Sequence, residues 1–141
     1  MKPLSIRKKA SEENMQEHGA FDICIEGRTI VINATGAWNV ETALSWGNEY
    51  QNLVRKLNRL PWACLVNLTE FELLVPEAWE HVKQISTWSN QNNQKYEAVV
   101  CSASYQEAMV EITQGLMTNV ESKIFLNLQQ ARSWLHQNDM F

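Results

Sequence analysis

The segment WACLVNL, residues 62–68, is a continuous apolar run that is too short for a typical helix. Such a run predicts a strand that is buried on both of its faces. Strands of this kind hold central positions in parallel sheets, where helices cover both sides. The chain is therefore expected to fold as an α/β domain around this strand.

A β-hairpin is predicted upstream, in FDICIEGRTIVINATG, residues 21–36. Gly27-Arg28 suits the two-residue loop of a type II′ turn, because glycine takes its first central position. The register that this turn imposes gives the ribbon one wholly apolar face. The opposed pairs on that face are Phe21 with Ala34, Ile23 with Ile32 and Ile25 with Ile30.

Four amphipathic helices are predicted, because apolar residues recur at three- and four-residue steps in four segments. The first is capped near Asn39 and the second begins at Pro76. Capping-box spacing starts the third at Ser104 and the fourth at Asn127. The third helix is expected to turn one apolar stripe inward, and its members are Tyr105, Ala108, Met109, Ile112 and Leu116.

Two further strands, YEAVVCSA and KIFLNL, complete the order β-β-α-β-α-β-α-β-α. This order predicts one mixed five-stranded sheet with an N-terminal hairpin and about four helices. Residues 1–19 are polar and are expected to form a flexible tail, with the domain spanning 20–141. Cys24, Cys64 and Cys101 lie in strand-like apolar runs and are expected to be reduced core residues.

Composition excludes several classes of function. The formal charge of −4 offers no electrostatic footprint for nucleic acid. No apolar stretch approaches the ~20 residues that a membrane-spanning helix needs, and the N-terminal segment lacks the apolar core of a secretory signal. We therefore expect a cytoplasmic protein with no integral membrane segment and no nucleic-acid partner.

Three segments resemble the STAS superfamily, the fold of bacterial anti-sigma-factor antagonists. They are the hairpin FDICIEGRTIVINATG, the strand end CLVNLTEFE, and KIFLNLQQARSWL with its Ala-x-x-Trp-Leu ending. The resemblance is closer to the SpoIIAA-like branch of small, mostly uncharacterised bacterial proteins. It covers about residues 20–137 and implies a regulatory or protein-binding domain.

The phosphorylation site of the antagonists does not carry over by this resemblance. In those proteins a serine at a helix start, a few residues after an Asp-Leu-Ser-like strand end, is phosphorylated. Here Asn67-Leu68-Thr69 stands at the strand end, but Leu74-Val75-Pro76 offers no hydroxyl. Glu70 and Glu72 would repel a phosphate on Thr69. The chain is expected to lack the serine switch.

Two groups of residues are candidate sites. Asn67, Thr69, Glu70 and Glu72 follow the central strand, where ligands bind in open α/β sheets; alternatively, they only stabilise a solvated turn. The second group is predicted to line an apolar, aromatic pocket for a small molecule. The resemblance supports this prediction, because SpoIIAA-like proteins share their architecture with lipid-binding folds. Alternatively, these residues only pack the core. That group consists of Trp38, Trp46, Trp79 and Trp88.

An enzyme is not expected. Glu77 and His81 are spaced i, i+4 and could join Glu72 in acid–base chemistry, but such a pair is more often found on a surface. No metal-ligand motif, phosphate loop or nucleophile elbow occurs in the sequence, so neither metal nor cofactor is predicted. The leading hypothesis is binding of a protein partner or self-association, and the alternative is binding of a small apolar, lipid-like ligand.

Overall fold

The computed structural model describes the backbone of residues 5–9, together with residues 17–101 and 103–141 in full. The strands within these ranges are β1 (Ser5–Lys9), β2 (Ala20–Glu26), β3 (Thr29–Trp38), β4 (Trp62–Leu74), β5 (Gln94–Val100) and β6 (Glu121–Phe125). The helices are α1 (Val40–Val54), α2 (Pro76–Asn90), α3 (Ser104–Leu116) and α4 (Leu128–Gln137). From β2 onward, this order confirms the prediction.

The strands form one mixed sheet in the order β1-β2-β3-β4-β5-β6. The first two pairings are antiparallel and the remaining three are parallel. Helices α1, α2 and α3 connect the parallel strands and pack against one face of the sheet, whereas α4 packs against the other face. The predicted α/β class and the interior position of β4 are confirmed.

The hairpin between β2 and β3 has the predicted register. Glu26 lies opposite Thr29, and Ile23 lies opposite Ile32 in the core. Gly27 has a φ of 60°, a conformation that residues with a side chain rarely adopt. The turn residue therefore fixes which face of the ribbon is apolar.

Strand β1 is additional to the five predicted strands. It pairs antiparallel with β2, from Ser5 opposite Cys24 to Lys9 opposite Ala20. It lies in the segment assigned to the tail, of which residues 1–4 and 10–16 fall outside the described residues. Strand β1 lies at the edge of the sheet, where pairing depends on backbone hydrogen bonds to one neighbour. Its sequence, SIRKK, has no alternating apolar pattern, and the strand was therefore not predicted.

Strand β4 continues six residues beyond its predicted end at Leu68. It pairs with β3 as far as Leu74 through two irregularities in register. At the first, the step from Asn67 to Glu70 opposes a shorter step on β3, so β4 carries an extra residue. The bulge lets both Leu68 and Phe71 be buried although they are three residues apart. The prediction that Thr69, Glu70 and Glu72 follow the strand is therefore wrong, because they lie on it and the chain turns at Val75.

Helix α3 is rotated by about one residue, roughly 100°, from the predicted orientation, and of the predicted stripe only Met109 packs against the core. Its buried residues are Gln106, Val110, Thr113 and Met117 just past its end, whereas Tyr105, Ala108, Ile112 and Leu116 are exposed. The predicted capping box is also wrong, because the residue preceding the helix is Ala103 and makes no side-chain capping bond. By contrast, the predicted caps at Asn39 and Asn127 are confirmed by their bonds to Thr42 N and Gln130 N.

Candidate functional site

A cavity of about 100 Å³ lies between the sheet and helices α1, α2 and α3. Strands β3, β4 and β5 form its floor with Ile32, Val66 and Val99. Side chains of the three helices form the opposite wall. The cavity therefore lies within the main hydrophobic core of the protein.

Two residues on interior strands show how the cavity affects burial. Val66 and Glu97 lie on β4 and β5 and line the cavity, yet both keep accessible surface. Since helices cover this face of the sheet, the surface that they keep faces the cavity. The half-buried residues of the helical wall, Trp79, Val82 and Met109, belong to α2 and α3. The cavity thus approaches the outside between these two helices.

One end of the cavity is aromatic and apolar. Trp38 contacts Trp46 and Phe71, with ring centroids 6.0 Å and 5.8 Å away. The indole N–H of Trp38 donates to the carbonyl of Ala20 over 3.0 Å, so its polar atom is satisfied away from the cavity. Leu68 and Leu74 complete this end. It offers no charged group among the lining residues that the structure describes.

The other end of the cavity contains polar side chains. The hydroxyl of Tyr50 and Oγ of Ser89 are 2.8 Å apart, and Ser89 donates to the carbonyl of Ile85 over 2.9 Å. Cys64 on β4 lies beside Tyr50. Burial raises the pKa of both the Tyr50 phenol and the Cys64 thiol well above their ordinary values. Both groups are therefore neutral at physiological pH.

Glu97 is the acidic group of this polar end. It lies opposite Cys64 in the register of β4 and β5, and burial raises its pKa from 4.5 to about 7. Gln94 opposes that shift only weakly, by placing its Nε2 at 3.4 Å from Oε1 of Glu97. Glu97 is therefore poised between its neutral and charged forms near pH 7.

Three of the four tryptophans proposed to line a pocket do line this cavity. These are Trp38, Trp46 and Trp79. Trp88 does not; it packs edge-on against Tyr50 at 6.5 Å, and Arg55 lies over its ring. The spacing of aromatic residues along helices could not distinguish the wall of the cavity from the packing behind it.

The polar residues proposed as a ligand corner lie along the second half of β4. Asn67 donates to Oδ1 of Asn33 over 3.0 Å and accepts from the backbone N–H of Thr69 over 3.1 Å. Thr69, Glu70 and Glu72 are exposed, and none of the four lines the cavity. The contacts of Asn67 are those of a residue that stabilises its own strand bulge.

Glu77 and His81 do not form a catalytic pair. Among the described contacts, no hydrogen bond or ion pair joins them. His81 instead packs towards Gly47 of α1, and burial lowers its pKa. Across residues 17–101 and 103–141, no cluster of three or more His, Cys, Asp or Glu residues could hold a metal ion.

Sequence reasoning missed Glu97 and Gln94. The available signal was the alternation in YEAVVCSA, where Glu97 shares its face with Val99 and Cys101. A charged residue at an inward position of a buried strand is rare unless it is paired or functional. That position, more than any motif, distinguishes Glu97.

Comparison with known proteins identifies the family. A model of the SpoIIAA-like family matches residues 29–136, which is most of the chain. The protein therefore belongs to the SpoIIAA-like family, as the three resembling segments predicted. No curated protein matches the chain.

Solved structures agree on the fold. A crystal structure of an uncharacterised protein from Shewanella loihica PV-4 with a SpoIIAA-like fold matches with a TM-score of 0.69 and 17% identity. The match covers 83% of this chain and 94% of that one. At this identity the likeness establishes a shared fold. Separately, none of the helices in the described part of the chain has the length and apolar character needed to cross a membrane.

Proposed function

We propose that the protein binds a small apolar molecule in the cavity. The supporting observation is the cavity itself, because protein interiors are close-packed and contain few voids larger than a water molecule. An empty apolar cavity of this size, about 100 Å³, would cost roughly 2 kcal/mol of stability. A bound ligand would offset that cost.

The volume limits the size of the ligand. An engineered apolar cavity of about 150 Å³ in another protein binds benzene. A cavity of about 100 Å³ therefore suits a molecule of about six non-hydrogen atoms, the number in benzene, unless α2 and α3 move apart. A long acyl chain does not fit this conformation, so the ligand class is narrower than the lipid-like molecules that the resemblance suggested.

Titration with methylcyclopentane, an apolar probe with as many non-hydrogen atoms as benzene, tests this function. Trp38, Trp46 and Trp79 line the cavity, so binding should change intrinsic fluorescence and raise the melting temperature. Val66→Phe, which fills the cavity, should abolish both effects. Ile112→Phe on the exposed face of α3 is the matched control and should leave them intact. Absence of binding to the wild-type protein would contradict the proposal.

A second candidate function is binding of a protein partner or of a second copy of the chain through α3. Tyr105, Ala108, Ile112 and Leu116 form an exposed stripe along this helix, and Tyr105 and Ile112 are 57% and 53% exposed. Contiguous exposed apolar residues are typical of interaction surfaces. Family membership supports this candidate too, since the antagonists that share the fold act by binding proteins. Both candidates are non-enzymatic.

Sedimentation over a range of protein concentrations tests self-association through this stripe. Ile112→Lys should shift the protein towards the monomer, because it places a charge in the centre of the apolar surface. Ser133→Lys on the exposed side of α4 is the control and should have no effect. A wild-type protein that is monomeric at all concentrations would leave an external partner as the occupant.

The absence of the serine switch remains a prediction. Thr69 is exposed and is the hydroxyl nearest along the chain to the end of β4, but Glu70 and Glu72 beside it would repel a phosphate. Intact-mass measurement of protein from its native host should therefore find no phosphate. Stoichiometric phosphate on Thr69 would contradict this prediction and favour regulation of the second candidate function.

A further inference from the structure

We infer that the ligand carries a hydrogen-bond donor at one end, preferably an amine, and that the carboxylate of Glu97 binds it. This inference rests on the proposed function, because it names the chemical class of molecule that the same cavity selects. The amine would lie over β5, and the apolar body would extend towards Trp38 and Phe71.

Geometry places acceptors at the polar end of the cavity. Gln94 is 3% exposed and lines the cavity. Its Nε2 donates to the carbonyl of Tyr96 over 3.2 Å and lies 3.4 Å from Oε1 of Glu97. These two bonds fix the orientation of the amide and leave its Oε1 without a partner. A buried acceptor without a donor costs free energy, and a donor at this end of the cavity would offset that cost.

The charges of the lining residues favour an amine over other ligands that carry a hydrogen-bond donor. Glu97 is the single acidic residue among the described residues that line the cavity, and none of them is Lys, Arg or His. The neighbours that face it, Cys64 from β4 and Tyr50 from α1, are neutral. An ammonium group would supply the missing counter-charge, whereas a carboxylate ligand such as a fatty acid would meet only like charge.

The remaining polar groups of the cavity do not change this preference. Tyr50 and Ser89 bond to each other, and Ser89 also donates to the carbonyl of Ile85 in α2. The indole N–H of Trp46 has no partner, and an alcohol could accept from it whereas an ammonium could not. Comparing the affinities of an amine and an alcohol therefore measures how much the positive charge of the ammonium group contributes to binding.

Four probes with six non-hydrogen atoms each test the inference: cyclopentylamine, cyclopentanol and methylcyclopentane, with cyclopropanecarboxylate as the anion. Affinities are measured by calorimetry near pH 7 for the wild-type protein and for Glu97→Gln. The amine should bind more tightly than the alcohol and lose about tenfold or more in affinity in the variant. Methylcyclopentane should bind both proteins equally, and the carboxylate should bind neither.

A second measurement needs no variant. Because the Glu97 carboxyl titrates near neutrality, binding of an ammonium should release a fraction of a proton, which is detected by repeating the titration in buffers of different ionisation enthalpy. An amine whose affinity is unchanged in Glu97→Gln, or that binds the wild type without proton release, would overturn this inference while leaving the proposed function in place. Failure of methylcyclopentane itself to bind would overturn the proposed function.

Discussion

Helices α1 and α3 both have apolar stripes, but α1 buries its stripe whereas α3 leaves most of its stripe exposed. In α1 the stripe faces the sheet, and Leu53 is 2% exposed. In α3 Ile112 faces outward and is 53% exposed, whereas Val110 and Gln106 are turned to the sheet and are each 4% exposed. Periodicity therefore identifies both segments as helices, whereas the surface beneath each helix decides which face it buries.

The surface beneath α3 is polar at one point. The bulge in β4 leaves the carbonyls of Leu68 and Phe71 facing this helix, and Nε2 of Gln106 donates to them over 3.1 Å and 2.7 Å. Burying those two carbonyls without donors would cost about 1–3 kcal/mol each, a cost that the Gln106 amide removes. The cavity beside them also removes part of the apolar surface that an inward stripe would cover.

The sharpest test of the comparison truncates one leucine and one isoleucine. Leu53→Ala in α1 should cost about 2–5 kcal/mol of unfolding free energy, because it leaves a void in the core. Ile112→Ala in α3 should cost less than about 0.5 kcal/mol, since the side chain is exposed. Urea denaturation of both variants measures the difference. Equal losses would show that α3 buries its apolar stripe in solution.

The cavity between the sheet and helices α1, α2 and α3 gives a prediction about how stability depends on pH. Folding raises the pKa of Glu97 from 4.5 to about 7, so the folded state holds its proton more tightly and stability falls as pH rises through that window. Between about pH 5 and about pH 8 the loss should be about 2–3 kcal/mol. Glu97→Gln should lack this loss, and the difference between the two proteins removes contributions from His81. Parallel pH profiles would mean that Glu97 is not buried in its acidic form.

Removing the amide donor of Gln106 should lower the free energy of unfolding by less than truncating Leu53 or ionising Glu97. Gln106→Leu keeps the bulk of the side chain but removes the donor to Leu68 and Phe71, at a cost of about 1–3 kcal/mol. The exposed Gln91 at the end of α2 provides the control, because Gln91→Leu removes no buried side-chain bond. A stabilised Gln106→Leu variant would indicate that α3 can turn its apolar face inward.

Features that depend on residues close in sequence could be predicted, whereas features that depend on contacts between distant segments could not. The hairpin register and the caps at Asn39 and Asn127 depend on residues close in sequence, and all were predictable. The extension of β4 depends on its pairing with β3, and the face of α3 depends on the carbonyls that this extension exposes. The cavity was suggested by the tryptophans, but its acidic end was missed because no local motif includes Glu97.

Two glycines give the smallest test of the comparison. A Cβ on Gly47 of α1 would lie 2.6 Å from Nε2 of His81 and 3.4 Å from Cδ1 of Ile85, whereas a Cβ on Gly115 of α3 would meet nothing within 4 Å. Gly47→Ala should therefore stabilise less than Gly115→Ala, because displacing the His81 ring offsets part of the gain in helix propensity. Gly115→Ala should stabilise by about 0.5–1 kcal/mol, since only the propensity changes. Denaturation of the two variants under the same conditions measures the change in the free energy of unfolding for each. If Gly47→Ala were as stabilising as Gly115→Ala, α1 would be no more tightly packed than α3, and the contrast between the two helices would reduce to the orientation of their stripes.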